Sequence, residues 1–447
     1  MTRFPDGFLL GVSTSSYQVE GAVDVDGRGE SIWDRFSHEP GKTANGDNGD
    51  VACDHYRRWR EDLDLLGELG VNAYRFSIAW PRLYPSGGGT LERRGLDHYD
   101  RLIDGLLQRG ITPIVTLYHW DLPQALEDRG GWLSREVVDR FTEYAATCFE
   151  AYGDRVEWWV TINEPWIIGL LGYRLGLHAP GKVDLRASVE AMHHVLLAHG
   201  RAIQELRARR RDARVGVAFC LAPHDPETDD AADREACRGS DGYVNRWFLD
   251  SVLKGFYPDD MRERYESLVG PLDFVRDGDL AVINARSDFI GVNYYSRRVM
   301  RADQDEAPFG WKVVVPDGAE VTEAGTEVTP HSLTELLVRL RADYGDLPIL
   351  ILENGAVYSD ALHDSRRVRF LHDHLAAVLA GIDAGVPVLG YCHWSFMDNF
   401  EWALGYAQRF GLVHVDYETL ERTVKDSGRY YAEVAREHAL VAPRVAV

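Results

Sequence analysis

The sequence lacks several features that would place it in other classes of protein. Its 447 residues contain no apolar run of 18 or more, which predicts that no helix spans a membrane. Residues 1–7 lack the charged and then apolar segments of a secretory signal, so we expect a cytoplasmic protein. Five scattered cysteines without a C-x-x-C pair predict reduced thiols rather than a disulfide framework.

Charge and motif content disfavour other kinds of ligand. With 49 basic and 71 acidic residues, the net charge of −22 repels nucleic acid and anionic substrates at long range. His193 and His194, like His372 and His374, lie on predicted helices without a third ligand at metal spacing. The glycines at 87–89 lack the Lys-Ser/Thr of a phosphate-binding loop. We therefore expect no metal, no cofactor and no nucleic-acid partner.

What the sequence does contain is a repeated alternation of apolar runs with helical patterns. Tyr56, Trp59, Leu63 and Leu66 show the three-to-four spacing typical of the intervening helices. Continuous apolar runs are typical of parallel strands that are covered on both faces. The runs cover residues 8–12, 71–78, 111–117, 156–162, 215–221, 289–292, 348–352 and 388–391.

Eight strand–helix units predict an α/β protein, a single (β/α)₈ TIM barrel that spans residues 1–447 as one domain. An open doubly wound sheet is the competing fold. It is disfavoured by the count of eight strands and because no G-x-G-x-x-G follows the first strand. We expect the segments 223–285 and 300–330 to be insertions that elaborate the loops of the carboxyl-terminal face.

Two of the predicted strands end in a glutamate beside an asparagine. Asn163-Glu164 follows the run 156–162, and Glu353-Asn354 follows the run 348–352. Because burying an unpaired carboxylate costs several kcal/mol, two such strand ends indicate a pair of acids that converge on one pocket. A pair of carboxyl groups is what cleavage of a glycosidic bond requires.

Other polar and aromatic residues also cluster where the predicted strands end, on the face of a barrel that carries active sites. They are Gln18, Arg75, His119, Trp120, Asn293, Tyr294, Tyr295, Trp394, Glu401 and Trp402. This agreement between position and residue type predicts one site on the carboxyl-terminal face.

These residues belong to stretches that resemble glycoside hydrolase family 1, the β-glucosidase family, over nearly the whole chain. Any one stretch is only suggestive, but all of them in family order are very specific. The resemblance implies a retaining, exo-acting β-glycosidase, a β-glucosidase in particular, with a small-molecule β-glycoside as substrate. The stretches are FLLGVSTSSYQVEG (8–21), YRFSIAWPR (74–82), YHWDLP (118–123), TINEP (161–165), NYY (293–295), LENG (352–355), WSFMDNFEW (394–402) and GYAQRFGL (405–412).

The resemblance implies roles for the two acids and their neighbours. Glu353 would be the nucleophile, kept ionised by hydrogen bonds from Arg75 and Tyr295. Glu164 would be the acid/base, which holds its proton while it faces that negative charge. Asn163 would bond the sugar 2-hydroxyl. In this retaining mechanism the two carboxyl groups lie about 5–5.5 Å apart.

The resemblance also implies a set of residues that bind the sugar and its leaving group. Glu401 would repel a sugar phosphate, which favours a non-phosphorylated sugar, and Glu164 favours O-glycosides over thioglycosides. The family further implies a cis peptide bond between Trp394 and Ser395. The implied substrate-binding residues are Gln18, His119, Trp120, Asn293, Trp394, Glu401, Trp402, Phe410 and Trp166.

One departure from the family pattern lies on the leaving-group side. Where the family has tryptophan in a Gly-Trp-Glu-Val-like stretch, this chain has Thr326 in Gly-Thr-Glu-Val. Loss of a stacking surface there would weaken affinity for aryl or oligosaccharide leaving groups by about 1 kcal/mol. Trp311, in the inserted stretch just before, is a candidate to replace the missing ring, and Trp166 remains as one aromatic wall.

Alternatives remain open at this level. The same mechanism with a preference for β-galactosides or β-fucosides is one, because Gln18 and Glu401 accommodate either epimer at the sugar 4-position in this family. A non-catalytic sugar-binding barrel is another, disfavoured by the presence of both Glu164 and Glu353. Transglycosylation, glucose tolerance and oligomeric state are not determined by the sequence.

Overall fold

Eight parallel strands close a barrel in the computed structural model, which describes residues 2–209 and 212–444. Strands that are consecutive along the chain lie side by side in the barrel, and the last strand pairs with the first to close the ring. All eight predicted apolar runs form strands, and the fold class is confirmed. The strands are β1 Leu9–Ser13, β2 Ala73–Ser77, β3 Thr112–Tyr118, β4 Trp158–Asn163, β5 Arg214–Cys220, β6 Ile290–Asn293, β7 Ile349–Glu353 and β8 Val388–Trp394.

The barrel interior is packed with side chains rather than open. A separate cluster fills it, to which β2 contributes Ala73, β4 contributes Trp158 and Val160, and β7 contributes Leu350 and Leu352. Because residues two apart on a strand share a face, the residue that follows Ala73 by two also points inward. That residue is the fully buried Arg75.

Helices surround the barrel and pack their apolar faces on it. In the helices His55–Leu69 and Arg93–Gln108 the buried residues recur every three or four positions, as their spacing predicts. The other α-helices are Ser16–Val19, Ile32–His38, Trp80–Leu83, Gln124–Glu127, Glu136–Tyr152, Pro165–Ile167, Leu185–Arg209, Ala231–Asp241, Trp247–Leu253, Asp259–Val269, Asp279–Ile283, Pro330–Tyr344, Ser365–Asp383 and Asp426–Glu437. Short 3₁₀ turns cover Ala44–Gly46, Gly131–Leu133 and Trp402–Leu404, and π-helical turns cover Ile168–Arg174 and Gly242–Arg246.

The two predicted insertions begin just after the carboxyl ends of β5 and β6. They contribute a small sheet in which His224–Pro226 pairs with Arg298–Ala302, and the latter pairs with Trp311–Val314. A two-stranded sheet, Val413–Val415 with Arg422–Val424, follows β8. In the described ranges, no helix is long and apolar enough to cross a membrane.

Candidate active site

The two strands that carry the glutamates each have an irregular register at their carboxyl end. On β4 the pairing with β5 shifts between Val160 and Asn163, and on β7 the pairing with β6 shifts between Ile351 and Glu353. An extra residue in one strand of a pair reverses which face the following side chains occupy. These shifts place the last residues of both strands at one cavity.

That cavity of about 300 Å³ opens at the carboxyl-terminal face of the barrel. Nine of the fourteen predicted site residues line it: His119, Trp120, Glu164, Tyr295, Glu353, Trp394, Glu401, Trp402 and Phe410. Four more, Gln18, Arg75, Asn163 and Asn293, are fully buried and hydrogen-bond to one another or to those lining residues. The remaining one, Trp166, lies in a neighbouring cavity.

Both oxygens of the Glu353 carboxyl group accept a strong hydrogen bond. Arg75 donates to Oε1 at 2.5 Å, and the Tyr295 hydroxyl donates to Oε2 at 2.7 Å. A guanidinium and a phenol stabilise the charged form of a carboxyl group, and the contact to Arg75 is buried from water. Glu353 is therefore equipped to act as a carboxylate.

Glu164 occupies a different environment in the same cavity. Asn293 Nδ2 donates a hydrogen bond to its Oε1 at 2.8 Å. Burial, and then the negative charge of Glu353, raise the pKa of Glu164 well above its ordinary value. The two glutamates therefore occupy unlike environments, since burial favours the protonated form of Glu164 whereas Glu353 accepts hydrogen bonds from a guanidinium and a phenol.

A buried hydrogen-bond network centred on Asn163 connects the two carboxyl groups. Asn163 Oδ1 accepts from Arg75 at 2.6 Å and from Asn293 at 3.0 Å, which fixes the orientation of its amide. Its Nδ2 then donates to His119 Nε2 at 3.0 Å and keeps a second N–H for a ligand. The Asn163 amide therefore holds both Arg75, which donates to Glu353, and Asn293, which donates to Glu164.

The floor of the cavity carries groups suited to sugar hydroxyls. Gln18 Nε2 donates to Glu401 at 3.3 Å, and burial with the charge of Glu353 raises the pKa of Glu401 to about 8. Burial and the nearby Arg75 lower the pKa of His119, so its ring is neutral. Nδ1 of His119 is buried without a protein partner, which leaves it available to a ligand hydroxyl.

Unusual backbone conformations cluster around the cavity. Trp120, Glu164 and Trp402 have left-handed φ angles of 79°, 50° and 54°, which residues other than glycine rarely adopt. Such conformations persist where the surrounding structure determines them and are frequent at functional sites. The peptide bond between Trp394 and Ser395 is cis, as the resemblance implies.

The leaving-group side of the cavity differs from the sequence-based expectation in one respect. Trp311 does not line the catalytic cavity, because its ring stacks on Phe309 at 5.0 Å and lies under the guanidinium of Arg264. Thr326 lines both the catalytic cavity and a second cavity of about 420 Å³ that also contains Trp166. No tryptophan therefore replaces the missing ring at this wall within the described residues.

Some lining residues were not identified from the sequence. His178 follows no strand and reaches the cavity from the loop after the π-helical turn, where its ring contacts Trp120 and Trp402. Ile167 and Leu171 line the same wall. Gly355 is required by close packing, since a side chain there would collide with the carbonyl oxygen of Trp394. Only the glycine has a sequence signal, as the third residue of Glu-Asn-Gly.

Comparison with known proteins identifies the family to which the chain is similar. The sequence model described as glycosyl hydrolase family 1 matches residues 1–440. β-Glucosidase A of Acetivibrio thermocellus is 46% identical over 97% of this chain and 98% of its own. A bifunctional β-D-glucosidase/β-D-fucosidase of Bifidobacterium breve is 42% identical over 98% of this chain and 99% of its own. The solved family 1 β-glucosidase of Thermotoga maritima is 42% identical, with a TM-score of 0.95 and 99% of each chain covered.

Proposed function

The chain belongs to glycosyl hydrolase family 1, and on that premise we propose that it is a retaining, exo-acting β-glucosidase. The observation that carries the proposal is the asymmetry of two glutamates in one cavity. Glu353 receives hydrogen bonds from Arg75 and Tyr295, whereas Glu164 is buried beside that charge with a raised pKa. Pairs of carboxyl groups with separated pKa values divide the roles of acid and base.

In the first proposed step Glu353 attacks C1 of the sugar. The bond from C1 to the leaving oxygen breaks as Glu164 transfers its proton to that oxygen, and an ester forms between C1 and Glu353. Asn163, with one free N–H, would donate to the 2-hydroxyl as charge develops at C1. Formation of the neutral ester removes the charge that raised the pKa of Glu164.

In the second proposed step Glu164 acts as a base. It takes a proton from water while the water oxygen bonds to C1, and the ester bond breaks to release Glu353 as a carboxylate. Two inversions at C1 leave the β-configuration unchanged. We propose that Gln18, His119, Asn293 and Glu401 position the sugar through its hydroxyls, with aromatic contact and cavity walls from Trp120, Trp394, Trp402, Phe410 and, toward the leaving group, Trp166.

Replacement of each acid by alanine tests these roles. Glu353→Ala is expected to abolish turnover of 4-nitrophenyl β-glucoside. Glu164→Ala is expected to be slow on poor leaving groups and to be rescued by azide with a β-glycosyl azide as product, since azide needs no general base. Glu335→Ala, on the exposed face of an outer helix, is the matched control and should behave as wild type. Full activity of Glu353→Ala, or an α-azide product, would contradict the assignment.

Activity on β-fucosides or β-galactosides is the second candidate. It is favoured by the relative in Bifidobacterium breve whose name includes both glucosidase and fucosidase. A panel of 4-nitrophenyl β-glycosides compared by kcat/KM distinguishes the preferences. We further propose that residues 1–447 form one catalytic domain, which the family match to residues 1–440 supports. Cytoplasmic location stays a prediction that fractionation of the source cells would test.

A further inference from the structure

A second cavity adjoins the catalytic one on the side of Glu164. It shares Ile167, Tyr295 and Thr326 with the catalytic cavity, so the two are continuous along that wall. Cys220 lines the second cavity and lies near Glu164, since burial and then the charge of Glu164 raise the pKa of its thiol. Because Glu164 is the proposed proton donor to the leaving oxygen, the second cavity lies where a leaving group would extend.

Arg298 lines this second cavity without a hydrogen-bonding partner. Its guanidinium lies 4.8 Å from the centre of the Trp166 ring, which holds it by a cation–π contact. Within residues 2–209 and 212–444, no carboxylate lies within ion-pair distance of it and no acceptor bonds to its five N–H donors.

The groups around Arg298 do not neutralise its charge. Burial raises the pKa of the Cys220 thiol and of the Tyr243 phenol, and burial lowers the pKa of His224, so all three are neutral near pH 7. A guanidinium remains protonated even in such surroundings. None of these three groups therefore neutralises Arg298, and Glu327, which also lines the cavity, pairs with Arg297 instead.

The preceding residue, Arg297, provides the contrast. It binds both oxygens of Glu327, at 2.9 and 2.8 Å, and Asp225 at 3.1 Å. Those two carboxylates are thereby engaged and do not reach Arg298. A half-buried charge without a partner is costly to a fold, so a partner supplied by a ligand would be a favourable addition.

The apolar surface of the cavity adds a second property. Val313 and Val314, on the strand that pairs with the one beginning at Arg298, and the adjacent Val315 also line it, and Val313 and Val315 are about half exposed. Thr326 occupies little of the shared wall, so it leaves room for a ring between the two cavities. An aryl group that carries an acidic substituent matches a cavity with valine walls and one cation, Arg298, that has no carboxylate partner among the described residues, since the other two charged lining residues, Arg297 and Glu327, pair with each other.

We propose that Arg298 forms a subsite for a carboxylate carried by the leaving group, so that the preferred substrates are β-glucosides of aromatic acids. This inference rests on the proposed β-glucosidase function and specifies its substrate class. The bound carboxylate would accept hydrogen bonds from the guanidinium, while the ring would contact the valines. Arg298 is a specificity residue in this proposal and takes no part in bond breaking.

Two matched substrates test the proposal, 4-(2-carboxyethyl)phenyl β-D-glucoside and its 4-(2-carbamoylethyl)phenyl analogue. The acid and the amide have similar shape, and the two-carbon spacer gives their phenols similar leaving-group ability. A charge-assisted hydrogen bond predicts that wild-type kcat/KM is about tenfold or more higher for the acid. The ratio of kcat/KM for the acid to kcat/KM for the amide should fall to about one or below in Arg298→Gln and to an intermediate value in Arg298→Lys.

Arg301→Gln is the matched control, since Arg301 lies three residues on and pairs with Glu227 at the surface. Its acid-to-amide ratio should equal that of wild type. A wild-type ratio near one with both glucosides hydrolysed would overturn the subsite and leave the β-glucosidase assignment standing. A high ratio that persists in Arg298→Gln would also overturn it. If the wild-type enzyme hydrolyses neither of these two substrates nor 4-nitrophenyl β-glucoside, both the subsite and the β-glucosidase assignment are overturned.

A binding measurement provides a readout that needs no variant. The free phenols, 3-(4-hydroxyphenyl)propanoate and its amide, should inhibit the wild-type enzyme with inhibition constants that differ in the same direction and by a similar factor. Equal inhibition constants would count against the subsite.

Discussion

Replacement of Glu353 by glutamine should lower the pKa of Glu164. The charge of Glu353 is the second cause of the raised pKa of Glu164, after burial. For two unit charges at the retaining separation of about 5.5 Å, an effective dielectric constant of about 20 gives about 3 kcal/mol, or about 2 in pKa. Since burial is unchanged in the variant, the pKa should still exceed the ordinary value of a glutamate.

Carbon-13 NMR of labelled glutamate side chains measures this change directly. The variant needs no turnover for the titration, and the Glu164 signal is identified by its absence from Glu164→Gln. Glu335→Gln, on the exposed face of an outer helix, is the control and should leave the titration unchanged. Glu401→Gln should lower the pKa less than Glu353→Gln, because the charge of Glu401 contributes least of the causes.

The consequence for catalysis has a definite sign. Glu164 must be protonated in the first step, so kcat/KM should be lost as pH rises through its raised pKa. In the ester the same group should ionise at lower pH and act as base. If the pKa of Glu164 is the same in Glu353→Gln as in wild type, the two carboxyl groups do not interact. The proposed division of roles between them would then have no physical basis.

Three further changes have expected outcomes. Tyr295→Phe removes one of the hydrogen bonds to the Glu353 carboxylate and should lower kcat about 10- to 100-fold, whereas Tyr294→Phe, whose hydroxyl bonds Thr329 instead, should leave kcat near wild type. Thr326→Trp adds a stacking surface and should lower KM for neutral aryl glucosides several-fold; an unchanged KM would refute that role. Burial raises the pKa of Asp121 to about 7, so the free energy of unfolding should fall as the pH rises from about 4 to about 7. Asp121→Asn should therefore gain unfolding free energy relative to wild type across that window in urea titrations, and no gain would refute the raised pKa.

The barrel was predictable because each strand is buried on both faces. That burial demands an uninterrupted apolar run, and the eight runs match the eight strands to within a few residues. The final residues of β4 and β7 were harder to place, since a regular strand alternates faces and gives no sign of a shift. The register changes near Asn163 and Glu353 depend on pairing with neighbouring strands, which are distant in the sequence.

The cavity walls illustrate a different limit on prediction. His178 and Ile167 are positioned by irregular segments whose path follows from packing against other loops, not from local periodicity. Sequence position alone suggests that Trp311 fills the space beside Thr326. Phe309 offers its ring a stacking partner, and Gly239 lies against it without a side chain, so the ring packs within the insertion. Contacts within the insertion therefore determine where the Trp311 ring packs.

Arg297 and Arg298 show why the charge of a pocket has to be derived from the fold. The two residues are chemically identical and adjacent, so no pattern in the sequence separates them. Both line the second cavity, but Arg297 reaches Glu327 and Asp225 whereas Arg298 lies over the ring of Trp166. The first arginine is neutralised by the protein and the second is not. A chain with net charge −22 therefore presents an unpaired cation beside its two proposed catalytic acids, and the substrate preference proposed for that cavity follows from this local charge rather than from the overall charge.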